Sequence, residues 1–447
     1  MKIVIAGAGE TGTHLAKMLA KEKQDIVLLD TNEERLNALS SCGAEMLSIV
    51  GNPVSFLDLE QAGVKNADLF VSVTPEESIN IIACQLAARL GAQETIARIN
   101  NDEYLAPKNK EFFESLGITS MIYPERLAAE EIATAISRPW TRQFMELLGG
   151  IFVLIGVKIR DNSKLANVRL SDISIENMLY HVVAIKRDDR TYIPNGGSMV
   201  LSGDILFFTT TKEHAKDVQM QAGKADSEVK KVFIIGGTRI ALITCNLLPS
   251  HVRVKLIERD KEKCHRIAET VPDNVLVIHG DGRDLELLNQ EGVKDAQAFV
   301  GLTDNESANI MACLTAKRYG KVAKTIAEVE NIDYIPLAEN MDIGTVINKK
   351  RIAAGHIYQF LLDCNVTNVK ILSFADANVA ELIAAPGSKI TRKLVKDLHL
   401  SEDLTLGGLV RGNEPMIIKG DTQIQADDRV IVFCLDSAIR KLEGLFN

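Results

Sequence analysis

The chain repeats itself, and that repetition limits its fold more than any single motif. KIVIAGAGETG at residues 2–12 returns as KKVFIIGGTRIA at residues 230–241, and an offset of 229 carries Gly7 onto Gly236. The same offset pairs Gly51 with Gly280, Gly63-Val64-Lys65 with Gly292-Val293-Lys294, Thr74 with Thr303, Glu77 with Glu306, Asn80 with Asn309, and Ala83-Cys84 with Ala312-Cys313. Asp30 meets Glu258 one residue out of step, a single gap in a turn. A second duplication follows each half. Residues 181–208 align with a stretch ending at Phe433, pairing Arg187 with Arg411 and Asp204 with Asp428 at an offset of 224. Self-similarity of this kind means tandem structural units. The order is A–B–A′–B′, four modules, where 447 residues at about 150 per domain would suggest three.

Within the A modules, short β-branched runs alternate with helical patterns. Residues 3–6, 26–29, 46–50, 69–73 and 95–99 read as buried strands, and 12–21, 33–42, 56–62 and 76–90 as helices. Strand–helix alternation implies an α/β fold with a Rossmann-like, doubly wound parallel sheet. The B modules carry shorter strands and turn residues, as in Pro194-Asn195-Gly196-Gly197, and read as small α+β units. The expected boundaries are 1–148, 149–215, a polar linker at 216–230, 231–362 and 363–447. After the fifth strand, residues 125–148 carry an apolar stripe around Pro139. This reads either as a kinked helix crossing to the partner lobe or as an ordinary packing helix.

The first glycine string is G-x-G-x-x-G, Gly7-Ala8-Gly9-Glu10-Thr11-Gly12, placed between an apolar strand and a helix. In that context Gly7 makes the tight turn, Gly9 admits a pyrophosphate, and Gly12 lets helix pack on strand. The helix N-terminus then offers N–H groups to the phosphates. Asp30 closes the second strand; its carboxylate accepts from ribose hydroxyls and repels a 2′-phosphate. No arginine follows in Thr31-Asn32-Glu33, so NAD(H) is favoured over NADP(H). Thr74-Pro75-Glu76-Glu77 reads as a capping box at the sheet's carboxyl edge, with nucleotide contact by Thr74 left open. Spacing leaves Arg98 between a phosphate contact and a salt bridge. In the second string, Gly236-Gly237-Thr238-Arg239-Ile240-Ala241, only the first key glycine survives. Glu258, Gly280-Asp281 and Thr303 persist there, and Arg239 adds a cation. That lobe is either decayed and kept for packing, or a weaker site suited to an adenine mononucleotide.

Other classes lose ground. A dehydrogenase needs a proton donor beside its hydride acceptor. Tyr104-Leu105-Ala106-Pro107-Lys108 spells Y-x-x-x-K, but Pro107 breaks the helix that would align the pair. No Walker lysine follows either glycine string, and the 8 histidines form no H-E-x-x-H. Catalysis is not expected. Seven cysteines, an odd number without C-x-x-C, suit reduced thiols better than disulfides or zinc. A net charge of −9 argues against a nucleic-acid partner. The start, MKIVIAGAGETG, enters a strand directly, and neither a signal segment nor a membrane span is expected.

These features together resemble the TrkA family, cytosolic regulatory subunits of Trk-type potassium uptake systems built from tandem RCK (regulator of potassium conductance) domains. The resemblance rests on GAGETG with Asp30, the alternation of modules, VKLIERD (254–260), HGDGRD (279–284), NESANIMACLTAKRYG (305–320) and LVRGNEPMI (409–417). It implies RCK N-lobes for the A modules and RCK C-lobes for the B modules. It also implies a self-assembled dimer or tetramer ring, peripheral on the inner face of the cell membrane beneath a potassium-translocating subunit. NAD(H), and ATP, ADP or AMP, would bind the N-lobes and bias that ring. Carried onto this chain, the first site is Gly7, Gly9, Glu10, Thr11, Gly12, Asp30, Thr31, Gly51, Asn52, Thr74 and Arg98. The weaker second site is Gly236, Arg239, Glu258, Gly280, Asp281 and Thr303. Asn52 departs from the family's Gly-Asp, which Gly280-Asp281 retains. An NAD-dependent oxidoreductase, and a nucleotide or cyclic-dinucleotide sensor for another transporter, stand as the alternatives.

Overall fold

The computed structural model describes all residues except 22–23, 41–45, 174–178, 189, 226–227, 364–368, 372–376, 436–437 and 447. The expected thiols Cys42 and Cys364 lie outside the described residues; Cys84, Cys245, Cys264, Cys313 and Cys434 are buried, and none of these five is in a disulfide. The chain divides into two compact units. One comprises residues 1–129 with 348–361, and the other residues 130–347 with 362–447.

The first unit holds the first N-lobe. Its strands are β1 (Lys2–Ala6), β2 (Asp25–Asp30), β3 (Leu47–Val50), β4 (Leu69–Ser72), β5 (Glu94–Arg98) and β6 (Ser120–Ile122). Between them run α1 (Glu10–Lys21), α2 (Glu33–Ser40), α3 (Phe56–Gln61), α4 (Glu77–Leu90) and α5 (Pro107–Ser115); α6 (Pro124–Ser137) follows β6. The sheet order is β3-β2-β1-β4-β5-β6, with every neighbouring pair parallel. Strand order reverses between β1 and β4, and ligands in such sheets bind at that switch point, at the carboxyl ends. The middle strands are apolar on both faces because helices cover both: β1 and β4 are almost wholly buried, with Val4, Ile5, Phe70 and Val71 at 0% exposure. Residues 125–148 do not form one kinked helix. Helix α6 ends at Ser137, before Pro139, and residues 143–147 are strand. Proline removes an N–H and here follows the helix end instead of bending the helix.

The second unit begins its sheets with β7 (Gln143–Leu147), β8 (Phe152–Lys158), β9 (Tyr180–Arg187), β10 (Arg190–Tyr192) and β11 (Ile205–Thr211), followed by α7 (Ala215–Gln221). These strands form an antiparallel sheet, β10-β9-β11-β8-β7. Two expected boundaries therefore move. The C-lobe sheet starts at Gln143 and not after residue 148, and the expected linker at 216–230 starts as helix α7. Val218 and Ala222 bury themselves in the C-lobe core, which is why polar-looking sequence becomes helix there.

The second N-lobe repeats the first. Its strands are β12 (Lys231–Ile235), β13 (Arg253–Glu258), β14 (Val275–His279), β15 (Ala298–Gly301), β16 (Lys324–Glu328) and β17 (Thr345–Ile347). Its helices are α8 (Arg239–Leu247), α9 (Lys261–Ala268), α10 (Leu285–Gln290), α11 (Glu306–Arg318) and α12 (Tyr334–Asn340), and α13 (Lys349–Asp363) follows. The strand order, β14-β13-β12-β15-β16-β17, matches the first lobe position for position. Last come β18 (Val369–Ile371), β19 (Ala377–Ile383), β20 (Leu404–Arg411), β21 (Glu414–Met416), β22 (Arg429–Leu435) and α14 (Ile439–Phe446). The two C-lobe sheets share one core, in which Leu147, Phe152 and Phe207 meet Val379, Ile431 and Phe433. Thr209 Oγ1 donates to the Gly407 carbonyl (3.0 Å) across that contact.

Candidate nucleotide site

The first glycine loop sits where the switch point places it, between the end of β1 and the start of α1. Gly7 has φ +109°, a conformation that side chains disfavour, and its N–H donates to the Leu29 carbonyl at 2.8 Å. A Cβ on Gly12 would collide with the Gly7 carbonyl oxygen, so helix α1 can pack this close only with glycine there. Gly9 differs: a Cβ there would meet nothing within 4 Å. No protein neighbour demands glycine at that position; it leaves open space against the backbone, the cradle a pyrophosphate needs. The first-turn N–H groups of α1, from Glu10 onward, have no acceptor within the helix and carry its positive dipole end.

Asp30 ends β2 beside this loop, largely buried. Its Oδ2 accepts from the Ala8 N–H (2.5 Å) and its Oδ1 from the Asn32 N–H (2.8 Å). A carboxylate has about four acceptor positions, so two remain for ribose hydroxyls. Thr31 is exposed next to it. Gly51 continues the same edge, its N–H bonded to the Asp30 carbonyl (3.0 Å). Asn52 spends its side chain on the Val54 N–H (3.0 Å), so it organises the turn after β3.

Thr74 does not cap α4. The cap position is Glu76, without a side-chain bond, and the expected capping box is not formed. The Thr74 hydroxyl instead donates to Asn80 Oδ1 (2.8 Å), which also accepts from the Thr74 N–H (2.9 Å) and the Ser72 hydroxyl (2.9 Å). Asn80 Nδ2 donates to the carbonyls of Thr74 (3.0 Å) and Arg98 (2.8 Å). This buried asparagine ties the ends of β4 and β5 together at the sheet's carboxyl edge. Sequence reasoning had only its repetition as Asn309, which makes the same bonds to Thr303 and to the Glu328 carbonyl.

Arg98 pairs with Glu125 at 3.6 Å, yet its Nε and the Glu125 Oε2 are buried with no hydrogen-bond partner among the described residues. Buried donors are rarely left so. One further cation went unread in the sequence: Lys350, at the start of α13, belongs to the first unit and forms an ion pair with Glu10 of the glycine loop. Tyr104 and Lys108 do not share a helix face, since α5 starts at Pro107 and Tyr104 packs on Phe113.

The second loop is built differently. Gly236 keeps the positive φ, +91°, but Thr238 is the N-cap of α8 and its hydroxyl accepts from the Ala241 N–H (3.4 Å). Glu258 is saturated: it accepts from the N–H groups of Gly237 (2.8 Å), Arg259 (2.6 Å) and Asp260 (2.9 Å), and lies 3.2 Å from the Lys263 ammonium. Burial alone would raise its pKa, but those N–H groups and Lys263 outweigh burial and hold it below the usual value. Arg239 is exposed at the start of α8. Gly280 donates to the Glu258 carbonyl (2.9 Å), and the Asp281 carboxylate is engaged by Arg283 (2.6 Å), which draws its pKa down to about 2. Glu328 ends β16 where Arg98 ends β5, so the cation beside the first loop becomes a carboxylate beside the second.

The TrkA-N domain model matches residues 3–124 and 232–349, and the TrkA-C domain model matches 154–223 and 379–447. The chain belongs to the TrkA family. It is 30% identical to the Trk system potassium uptake protein TrkA of Halomonas elongata, over 100% of this chain and 98% of that protein. Its identity to the protein of that name from Haemophilus influenzae is 31%, with the same coverage. Among solved structures, the GsuK RCK domain aligns over 100% of this chain and 94% of its own, with a TM-score of 0.63 at 15% identity. That likeness establishes the fold: tandem RCK lobes, parallel sheets followed by small antiparallel ones.

Proposed function

We propose that this chain is the nucleotide-sensing regulatory subunit of a potassium uptake transporter, and that NAD(H) bound to its first N-lobe controls transport allosterically. The observation that carries the reading is the first glycine loop: an open cradle over Gly9, beside a carboxylate with acceptor positions to spare. The relatives that match the chain end to end are named for potassium uptake, and no helix among the described residues is long and apolar enough to cross a membrane. In this reading the chain docks as a homo-oligomer on the cytoplasmic side of a separate membrane-spanning subunit.

Gly7, Gly9, Gly12 and the first-turn N–H groups of Glu10 and Thr11 would hold the pyrophosphate, and Asp30 the adenosine ribose. Thr74 and Arg98, fixed by Asn80, line the carboxyl edge, and Lys350 supplies a cation that could exchange Glu10 for phosphate. ADP and ATP present the same phosphate chemistry and are the competing effectors. A nucleotide shifts a two-state assembly only by its differential affinity for the states, and couplings of about 1–3 kcal/mol are typical. A carboxylate–cation pair that a phosphate can break supplies such a difference. In this reading the nucleotide regulates and is not consumed, in keeping with end-to-end relatives that are named for potassium uptake.

The test is potassium uptake in cells carrying Asp30→Ala, together with calorimetry on the purified protein. Loss of NADH binding with altered uptake is expected. Sustained NADH or ATP turnover abolished by a site variant would overturn the regulatory reading. Light scattering should find an oligomer at micromolar concentration; a stable monomer would remove the ring.

A further inference from the structure

Away from both glycine loops, the second unit contains a cavity of about 290 Å3 where the first C-lobe meets the second N-lobe. Its wall carries six basic side chains: Arg142, Lys158, Arg160, Lys224, Lys317 and Lys324. They come from separate places in the chain, around β7 and β8, after α7, near the end of α11 and at the start of β16. No carboxylate lines the cavity among the described residues. A single one, Asp342, sits outside the lining and takes four of the six. Its Oδ1 lies 2.7 Å from Arg142 and 3.0 Å from Lys158, and its Oδ2 lies 2.8 Å from Arg160 and 2.8 Å from Lys317.

The remaining two, Lys224 and Lys324, form no ion pair with Asp342 among the described residues, and burial pushes the Lys324 pKa well below the ordinary lysine value. The Lys324 ammonium is buried and donates to the Thr141 carbonyl (2.7 Å) and Thr345 Oγ1 (2.9 Å). The Lys224 ammonium makes no hydrogen bond or ion pair among the described residues; Arg160, Arg142 and Lys158 lie near enough to repel it, and Asp342 offsets them only in part. Packing like charges round a cavity is costly without counter-charge, and one carboxylate, Asp342, serves four of them. Two arginine forks and flexible lysine ammoniums are the side chains that bind phosphate oxygens. Sites for drug-sized ligands run to about 300–1,000 Å3, so this cavity, just below that range, suits a smaller ligand.

We infer that this cavity is a second, separate anion site, which binds a compact oligophosphate, either inorganic or the phosphate tail of a nucleotide, and ties the first C-lobe to the second N-lobe. The inference is independent of the glycine-loop reading, since no residue is shared.

Trp140, the only tryptophan of the chain, lines the same cavity and reports on it directly. The experiment titrates the full-length protein with inorganic pyrophosphate and, separately, with ADP and AMP, following Trp140 fluorescence. A saturable change with pyrophosphate is expected. Lys224→Gln, which removes a cation without an ion pair, should weaken it about tenfold, the loss of one charge-assisted contact; Arg160→Gln should do the same. ADP tighter than pyrophosphate would identify a nucleotide tail, and pyrophosphate tighter than ADP an inorganic ligand. Gly9→Asp, which obstructs the first glycine loop, should leave the fluorescence response in place while NADH binding is lost. Absence of a saturable change up to millimolar pyrophosphate would overturn the site. So would a response unchanged in both cavity variants, or one lost in Gly9→Asp.

Discussion

Asp30 is a largely buried carboxylate and Asp342 a partly buried one, and their partners give them opposite roles. Asp30 binds two backbone N–H groups and keeps acceptor positions open. Asp30→Ala should weaken NADH binding by about 1.5–3 kcal/mol, the worth of a hydrogen bond to a charged group. Calorimetry comparing NADH with NADPH checks this; equal affinities in the unaltered protein would remove the ribose argument. Asp342 is closed by four cations, and although burial would raise its pKa, Lys317, Arg142, Arg160 and Lys158 hold it well below the usual carboxylate range. Its folded pKa lies below the unfolded value near 4, so its stabilisation is complete above about pH 4 and fades as pH falls further. Asp342→Asn keeps the left-handed backbone, φ +53°, which asparagine tolerates. It should nevertheless cost about 3 kcal/mol, because four cations lose their counter-charge. Chemical denaturation at pH 7 measures it, and a loss below about 1 kcal/mol would refute the estimate's premise. Lys224 runs the other way: burial and then Arg160, Arg142 and Lys158 push its pKa down to about 8, so stability should rise between about pH 8 and 10 as the unfolded chain alone holds that proton.

At the scale of elements, much of the fold is legible because the repeats are local in sequence. Alternating apolar runs identify the parallel strands, and a glycine string between strand and helix identifies the loop. Arg187 and Arg411 were readable only as aligned positions. In the structure each forks onto its aligned aspartate, Asp204 (2.8 and 2.8 Å) and Asp428 (2.9 and 2.8 Å). What periodicity does not carry is competition from distant groups. The Thr74 cap fails because Asn80, six residues on, captures its hydroxyl, and Lys350 reaches Glu10 from the far end of the sequence. The cavity lined by basic side chains is of the same kind, since those six residues are scattered from 142 to 324. The unequal glycine loops follow from such contacts as well. Thr238 caps α8, and Glu258 has no acceptor position left. We expect NADH to occupy the first lobe and leave the second empty in a cocrystal. Thr238→Gly should cost a few tenths of a kcal/mol in cap strength without restoring binding. Calorimetry of that variant showing a second NADH site would place the obstruction in Thr238 and not in Glu258.

For the whole molecule, the division into two units decides how ligands act on stability. Residues 1–129 and 348–361 carry the glycine loop, Asp30 and Lys350; residues 130–347 and 362–447 carry the cationic cavity and the shared C-lobe core. Multidomain chains need not unfold in one step. A ligand at 100 times its dissociation constant stabilises the state that binds it by about 2.7 kcal/mol. For a unit of about 140 residues, this corresponds to a shift of roughly 5–10 °C, at about 2–4 °C per kcal/mol. NADH should therefore raise one calorimetric transition, and pyrophosphate the other. Asp30→Ala should abolish the first shift and spare the second, while Lys224→Gln should reduce the second and spare the first. A scan with a single transition that either ligand raises would mean that the units unfold as one, and that occupancy of either site is felt throughout the chain.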